Sequence, residues 1–240
     1  MNITKDSIIG EIVAKDYKSA TIFKKYGIDF CCNGNRTIAK ACNDNEHEID
    51  NIILELQQPI AATTVGIEFN SWPLDLLVDY IEKKHHRFVE NKIVEILPYL
   101  AKIVKVHGDR HPELATIEQL FKESAGELSA HMKKEELILF PFIRKMEAAK
   151  QQGTLVQAPF GTVQNPLSAM MHEHDGEGER FRKIAALSDN YMPPLDACNT
   201  YKVTISLLKE FEEDLHLHIH LENNILFPKS ILLEEHFKTA

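Results

Sequence analysis

An all-α fold, an up-down four-helix bundle preceded by a small helical domain, is predicted for this 240-residue chain from three features. Apolar residues recur at three- and four-residue steps along four long stretches, which is the period of amphipathic helices. Strand signals are nearly absent. The pattern HMKKEELILFP at 131–141 returns as HIHLENNILFP at 218–228, an offset of 87 residues. A four-helix bundle made of two related helix pairs accommodates all three.

Taken in order, residues 1–57 read as short helices. SIIGEIVAKD is amphipathic, SATIFKKYG ends at Gly27, RTIAKAC follows a turn, and EIDNIILELQQ closes the region. DFCCNGN reads as a turn from its Asn and Gly content. Residues 58–72, PIAATTVGIEFNSW with Pro59 at its start, lack helical period and read as a linker. The bundle occupies 73–240, with helices over about 74–106, 114–149, 165–186 and 195–227. HGDRHP, QQGTLVQAPFGTVQNP and SDNYMPP carry the breakers between them.

Composition narrows the function classes. Apolar content of 44% with 26% charged residues is ordinary for a globular protein. A net charge of -9 argues against non-specific binding of nucleic acid or an anionic membrane. No apolar run approaches the roughly 18 residues that span a bilayer. MNITKDSIIGEI has no secretory h-region, so a cytoplasmic protein is expected. Four cysteines, two of them adjacent, do not form a disulfide framework. The unusual count is twelve histidines.

Several of these fall where a core residue belongs. On a helix, His218 continues the row Ile205, Leu208, Phe211 and Leu215, with Glu222 one turn further on. His131 and Glu135 share a face with Ile117, Phe121, Ser124, Leu128 and Ile138. His174 lies with Leu167, Met170, Met171, Gly178 and Phe181, and His86 precedes it by 88 residues, close to the repeat offset. Two facing carboxylates in a core are very costly unless cations neutralise them. Four inward histidines and two inward glutamates suit two metal ions bridged by the carboxylates, with open positions for a small ligand. Imidazole and carboxylate suit iron, zinc or manganese. His216 and His220 fall on a polar row and are expected in solvent, as are His47, His111 and His236.

HMKKEELILFP, HIHLENNILFP and HEHD at 172–175 resemble the hemerythrin-like domain, and DFCCNGNRTIAKAC resembles the ScdA-type domain that precedes it in the RIC proteins, di-iron proteins for repair of iron-sulfur centres. The resemblance implies metal ligands at His131, Glu135, His174, His218 and Glu222. In KKHHRFVEN it favours His86, while periodicity puts the alternative, His85, one turn from Ile81 and Val89. It further implies two non-haem irons with oxo and carboxylate bridges, a homodimer, damaged iron-sulfur proteins as partners, and a role in nitrosative or oxidative stress. A nitric oxide reductase or scavenger, or a hemerythrin-like oxygen binder, is the alternative function for the same open site.

Cys31 and Cys32 have three readings: small buried hydrophobes, a reactive pair at a helix start, or transient iron ligands. The resemblance favours redox or iron transfer. Cys42 and Cys198 are expected to be structural. His107, near a helix end, is expected to cap it, with lining of the route to the metal as the alternative. Glu173, Asp175, Glu177 and Glu179 form an acidic patch that is either a solvated face or a guide for ferrous ions.

Overall fold

The computed structural model describes residues 3–58 and 67–239, and no strand occurs among them beyond one isolated bridge between Ile8 and Thr37. The N-terminal part holds α1 (Ile9–Lys15), α2 (Ser19–Lys25), α3 (Ile38–Ala41) and α4 (Glu46–Gln57). Gly27 ends α2 with a φ of +66°, a conformation that glycine adopts without a Cβ clash. Thr37 caps α3 by accepting from the Lys40 N–H, and Asn45 caps α4 by accepting from that of Glu48. Of the expected linker, residues 59–66 lie outside the described residues. Phe69 and Trp72 pack on Tyr80 at the start of the bundle.

The bundle has four long helices. Helix A joins α5 (Leu74–Tyr80), a wide turn π1 (Ile81–His86) and α6 (Arg87–His107). Helix B joins α7 (Glu113–Lys134), π2 (Glu135–Leu139) and α8 (Phe140–Gln152). Helix C is α9 (Gln164–Leu187), and helix D joins α10 (Asn199–Leu221), π3 (Glu222–Leu226) and α11 (Phe227–Thr239). A packs against both B and D, and B against C. Helix D runs on beyond the predicted end near Phe227, because the wide turn π3 just before Pro228 rearranges the ladder at the point where the proline has no N–H to offer.

The apolar interior comes in two parts. One, built around Phe121, Phe181, Phe211 and Leu208, is continuous with the N-terminal residues Ile9, Phe23, Phe30 and Ile38. The other, around Ile81, Phe140, Leu226 and Phe227, fills the opposite end. The inward histidines and glutamates lie in the layer between.

The N-terminal part seats on helix D of its own bundle, and this overturns the solvent placement of His216 and His220. His220 is 1% exposed, with its ring centroid 5.4 Å from that of Tyr17 and 5.9 Å from that of Phe30. His216 is half-buried, 6.1 Å from Phe30. Their row is polar only for the isolated bundle, because the N-terminal domain covers it. Asn224 Nδ2 donates to the Phe30 carbonyl (3.0 Å) and to His220 Nδ1 (2.9 Å), which requires the imidazole neutral at that nitrogen. At Gly10 an added Cβ would lie 2.3 Å from Asn224 Oδ1, so a side chain there would displace Asn224 from its bonds to Phe30 and His220.

Burial holds His220 down to about 3, and burial, aided by Lys24, holds His216 down to about 4. Unfolded histidine titrates near ~6.5, so the unfolded chain binds more protons between that value and 3–4. Stability from these two groups is therefore full above pH ~6.5 and falls as the pH drops toward 4. Thermal melting across that window should show a smaller acid slope in His220→Gln than in the parent protein. An unchanged slope would remove His220 from the acid response.

Candidate metal centre

Each wide turn carries inward polar residues: π1 holds His85 and His86, π2 begins at Glu135, and π3 begins at Glu222. Such bulges are frequent at functional sites. In the two repeats the Phe140 N–H reaches the Glu135 carbonyl and the Phe227 N–H reaches that of Glu222, one residue before Pro141 and Pro228. A proline lacks an N–H, so the ladder is interrupted there in any case and the widened turn costs less. The extra residue also shifts the register. Ile138, expected on the core face, is 52% exposed, and Leu139 takes its place at 1%.

All six expected ligand residues come together in the layer between the two apolar parts. One group holds His86, His218, Glu135 and Glu222, and a second holds His131, His174 and the same two glutamates. Within each group the nearest donor atoms lie within 4.8 Å of one another, and every residue is buried. Glu135 Oε2 is 3.4 Å from both His86 Nε2 and His131 Nε2. Glu222 Oε1 is 3.1 Å from His218 Nε2, and its Oε2 is 3.2 Å from His174 Nε2. Helices A, B, C and D thus supply one histidine each. His85 is also fully buried but turns to Asp214, with Nδ1 2.9 Å from Oδ2.

The outer ring nitrogens have their own partners. His86 Nδ1 pairs with Glu136 (3.0 Å), His131 Nδ1 with Glu173 (2.8 Å), and His174 Nδ1 donates to Asn223 Oδ1 (2.9 Å). Glu136 is in turn held by Arg87 and Lys133, and Glu173 by Lys134. This is the arrangement that orients metal-binding imidazoles. The inner atoms are left without hydrogen-bond partners: His86 Nε2, both oxygens of Glu135 and Glu222 Oε2, with His85 Nε2 and His218 Nδ1 beside them. Buried polar atoms are rarely orphaned in a folded protein. Imidazole nitrogens and carboxylate oxygens in this number, dry and unpaired, fit two borderline-hard divalent cations.

The titration behaviour has the same origin. Burial lowers the His131 pKa, but Glu135, Glu222 and Glu173 outweigh it and push it up to about 10. Burial likewise opposes His86, which Glu135 and Glu222 nonetheless raise. Burial keeps His218 low despite Glu222. Glu222 stays well below the usual carboxylate range against its own burial, because His218 and His174 surround it. Without a metal, protons on imidazole supply the positive charge that the carboxylates require.

Cys31 and Cys32 lie against helix C beside this layer. Their sulfurs are 3.8 Å apart, and Asp29 Oδ1 accepts from both backbone N–H groups. The Cys32 thiol donates to the His174 carbonyl at 3.3 Å. The hydrogen-bonded neighbour Cys32 and then burial push the Cys31 thiol well up, so Cys31 is no preformed thiolate. Sequence reasoning missed Asn223, Glu136 and Asp214 as outer partners. They sit on positions that ordinary helical period assigns to solvent; the wide turns signal otherwise for Glu136 and Asn223, and for Asp214, within α10, nothing in the sequence does.

A pocket of about 260 Å³ has Glu127, Glu173, Glu177 and Lys134 on its wall and reaches His131 and His174. Glu177, part of the expected acidic patch, is buried and accepts from Ser124 at 2.6 Å. His107 does not line this route: it lies 21 residues along helix A from His86, about 31 Å at 1.5 Å per residue. It is buried at the far end, with Nε2 3.2 Å from Cys198 Sγ. Cys198 is exposed at the N-cap of α10 rather than in the core. His111 is half-buried between Glu113 and Asp196.

Known proteins share both parts of the chain. Residues 77–230 match the hemerythrin HHE cation binding domain, and residues 5–59 match ScdA_N, a domain of unknown function. The iron-sulfur cluster repair protein ScdA of Staphylococcus haemolyticus (strain JCSC1435) is 31% identical over 227 residues, covering 95% of this chain and 99% of that protein. The iron-sulfur cluster repair protein YtfE of Escherichia coli O81 (strain ED1a) is 32% identical, covering 95% of this chain and 97% of that protein. YtfE of Enterobacter sp. (strain 638) is 32% identical with the same coverage. With both domains in the same order and nearly the full length of each relative matched, the chain belongs to the ScdA/YtfE family of iron-sulfur cluster repair proteins.

Proposed function

We propose that this protein repairs damaged iron-sulfur clusters by supplying iron from a non-haem di-iron centre. The observation that carries the reading is the pair of buried His/Glu groups that share Glu135 and Glu222. Iron bound there would be dischargeable in the ferrous state, an oxo-bridged ferric pair first taking one electron per iron from a cellular reductant, and would bind small ligands such as nitric oxide or oxygen. His86 and His218 would hold one position, His131 and His174 the other, and the two glutamates would span both, with an oxo bridge completing the centre. Glu136 and Glu173 keep the Nδ1 protons of His86 and His131 outward, so the Nε2 lone pairs face inward. The acidic pocket that reaches His131 and His174 supports passage of a cation between that position and solvent.

Cys31 and Cys32 are the residues placed to receive iron or dock a client, with Asp29 as a third donor within 4.8 Å. Family membership supports a homodimer acting in the cytoplasm under nitrosative or oxidative stress, with damaged iron-sulfur proteins as clients. It also supports the division into an N-terminal domain of residues 1–57, a linker over 58–72 and a bundle over 73–240. The charge of -9 supports the absence of nucleic acid among the partners.

Protein produced with ample iron under low oxygen should hold about two irons per chain, by analogy with other carboxylate-bridged bundles. Near-ultraviolet absorption from the bridged centre should be lost in Glu135→Leu/Glu222→Leu. Iron-loaded protein should restore a damaged cluster in a client enzyme. Failure to do so while free ferrous iron succeeds would reject the donor mechanism. Stability of the metal-free protein should fall as well. Against burial, Glu135 is the main anion that holds His131 protonated, with its pKa pushed up to about 10, and removing one partner of a buried ion pair costs about 3–5 kcal/mol. Metal-free Glu135→Gln should therefore melt below the parent, and a variant that melts no lower would show that the carboxylates do not stabilise the metal-free fold.

A further inference from the structure

Asn223 has two bonds whose directions depend on each other. Its Nδ2 donates to the Cys31 carbonyl at 3.1 Å, and its Oδ1 accepts from His174 Nδ1 at 2.9 Å. The side-chain amide is nearly symmetric in shape, so sterics do not choose between its two orientations. The Cys31 carbonyl does choose. A carbonyl only accepts, so the NH₂ end must face it and the oxygen must face His174. His174 then keeps a proton on Nδ1, so Nε2, which lies 3.2 Å from Glu222 Oε2 and 3.0 Å from His131 Nε2, is the nitrogen that can be freed for a metal. With the amide turned over, an N–H would face Nδ1, the proton would move to Nε2, and that nitrogen could not bind a metal.

His174 differs from the other site histidines in two ways that make this link matter. Its outer partner is a neutral amide, whereas His86 and His131 have carboxylates that fix their tautomers unaided. Helix C also has no wide turn to aim it. It is held instead from the N-terminal side. Cys32 donates to its backbone carbonyl, and Arg182 of the same helix bonds Asp29 Oδ2 at 2.9 Å. Gly178, one turn on, allows this seat, since a Cβ there would lie 2.8 Å from Cys32 Sγ.

We propose that Asn223 is a positioning residue through which the docked Cys31–Cys32 turn sets the metal-binding tautomer of His174, so that displacing the turn weakens the His131/His174 metal position alone. The inference rests on the di-iron reading. It assigns the N-terminal domain a role in holding one metal ion, besides any role of its thiols as acceptors. Binding of a cation or client at the thiol turn would thereby loosen the ion nearer the acidic pocket.

The test uses the full-length protein and four variants. Gly178→Ala pushes the turn off helix C and leaves Asn223 in place. Asn223→Leu removes both bonds. Asn223→Asp keeps an acceptor for His174 Nδ1 without needing Cys31. The fourth combines Gly178→Ala with Asn223→Asp. Release of Fe(II) to a chelator, nitrogen-15 NMR of the His174 ring in metal-free protein, and the alkylation rate of Cys32 are read in each. Gly178→Ala and Asn223→Leu should release one of the two ions about 10- to 100-fold faster, the usual scale for losing an outer partner, with the other unchanged. Both should lose the Nδ1–H signature. The double variant should regain slow release and that signature while Cys32 stays rapidly alkylated, a rescue that a purely structural role would not produce. Faster alkylation in Gly178→Ala with wild-type release of both ions would overturn the proposal, as would equal acceleration of both ions in Asn223→Leu. Wild-type protein that binds no pair of metal ions would instead reject the di-iron reading, and the tautomer measurement in metal-free protein would still decide the Asn223 link.

Discussion

Two carboxylates, Glu135 and Glu222, meet in a dry layer at the middle of a helical bundle, and most of the structure is arranged around that fact. Neither is tolerable there without positive charge close by. The four histidines supply either protons or an orientation for cations, one from each helix, so the layer cannot form until all four helices are packed. The apolar core is accordingly divided, one part on each side of the polar layer. Each part has fully buried aromatic side chains, which exclude the water that would otherwise screen the carboxylates.

Much of this architecture was legible in the sequence because the helical period and the repeat speak to the same thing. The His-x-x-x-Glu spacing puts ligand pairs on one face whether or not the turn between Glu135 and Leu139 is regular. What the period could not show was the extra residue in each wide turn. It made Ile138 look buried and hid Leu139, and it left Glu136 and Asn223 on rows that a regular helix turns toward solvent. The prolines after Leu-Phe were the available signal, since a helix that continues through Pro141 and Pro228 must rearrange its hydrogen bonds just before them. For the first helix the pattern left His85 and His86 open. The turn over Ile81–His86 buries both, His86 toward Glu135 and His85 toward Asp214.

The docking of the N-terminal domain was not legible for a different reason. Periodicity reports whether a helix face is apolar, and the face of helix D under Tyr17 and Phe30 is not. His216, His220 and Asn224 line it, and they meet the rings of Tyr17 and Phe30 and one carbonyl rather than an aliphatic surface, with His216 Nδ1 left unpaired. Gly10 and Gly178 were the local hints, each a place where a side chain would strike the neighbouring element. Their meaning depends on a partner surface that is far away in sequence.

The internal repeat implies two equivalent metal positions, and the surroundings break that equivalence. His218 has no outer partner on Nδ1 and lies in the fully enclosed half with His86. His131 and His174 adjoin the acidic pocket, and His174 depends on a neutral amide whose orientation is set by another domain. Basicity does not single out the pocket side, since the ring with no outer partner, His218, belongs to the enclosed half. The half that faces the pocket is instead the one with the more conditional geometry and the open route to solvent. For the proposed iron donor, keeping one ion while yielding the other needs unequal positions, and two shared carboxylates alone cannot make them unequal. The inequality comes from the second layer of residues, where the two halves of the repeat no longer match.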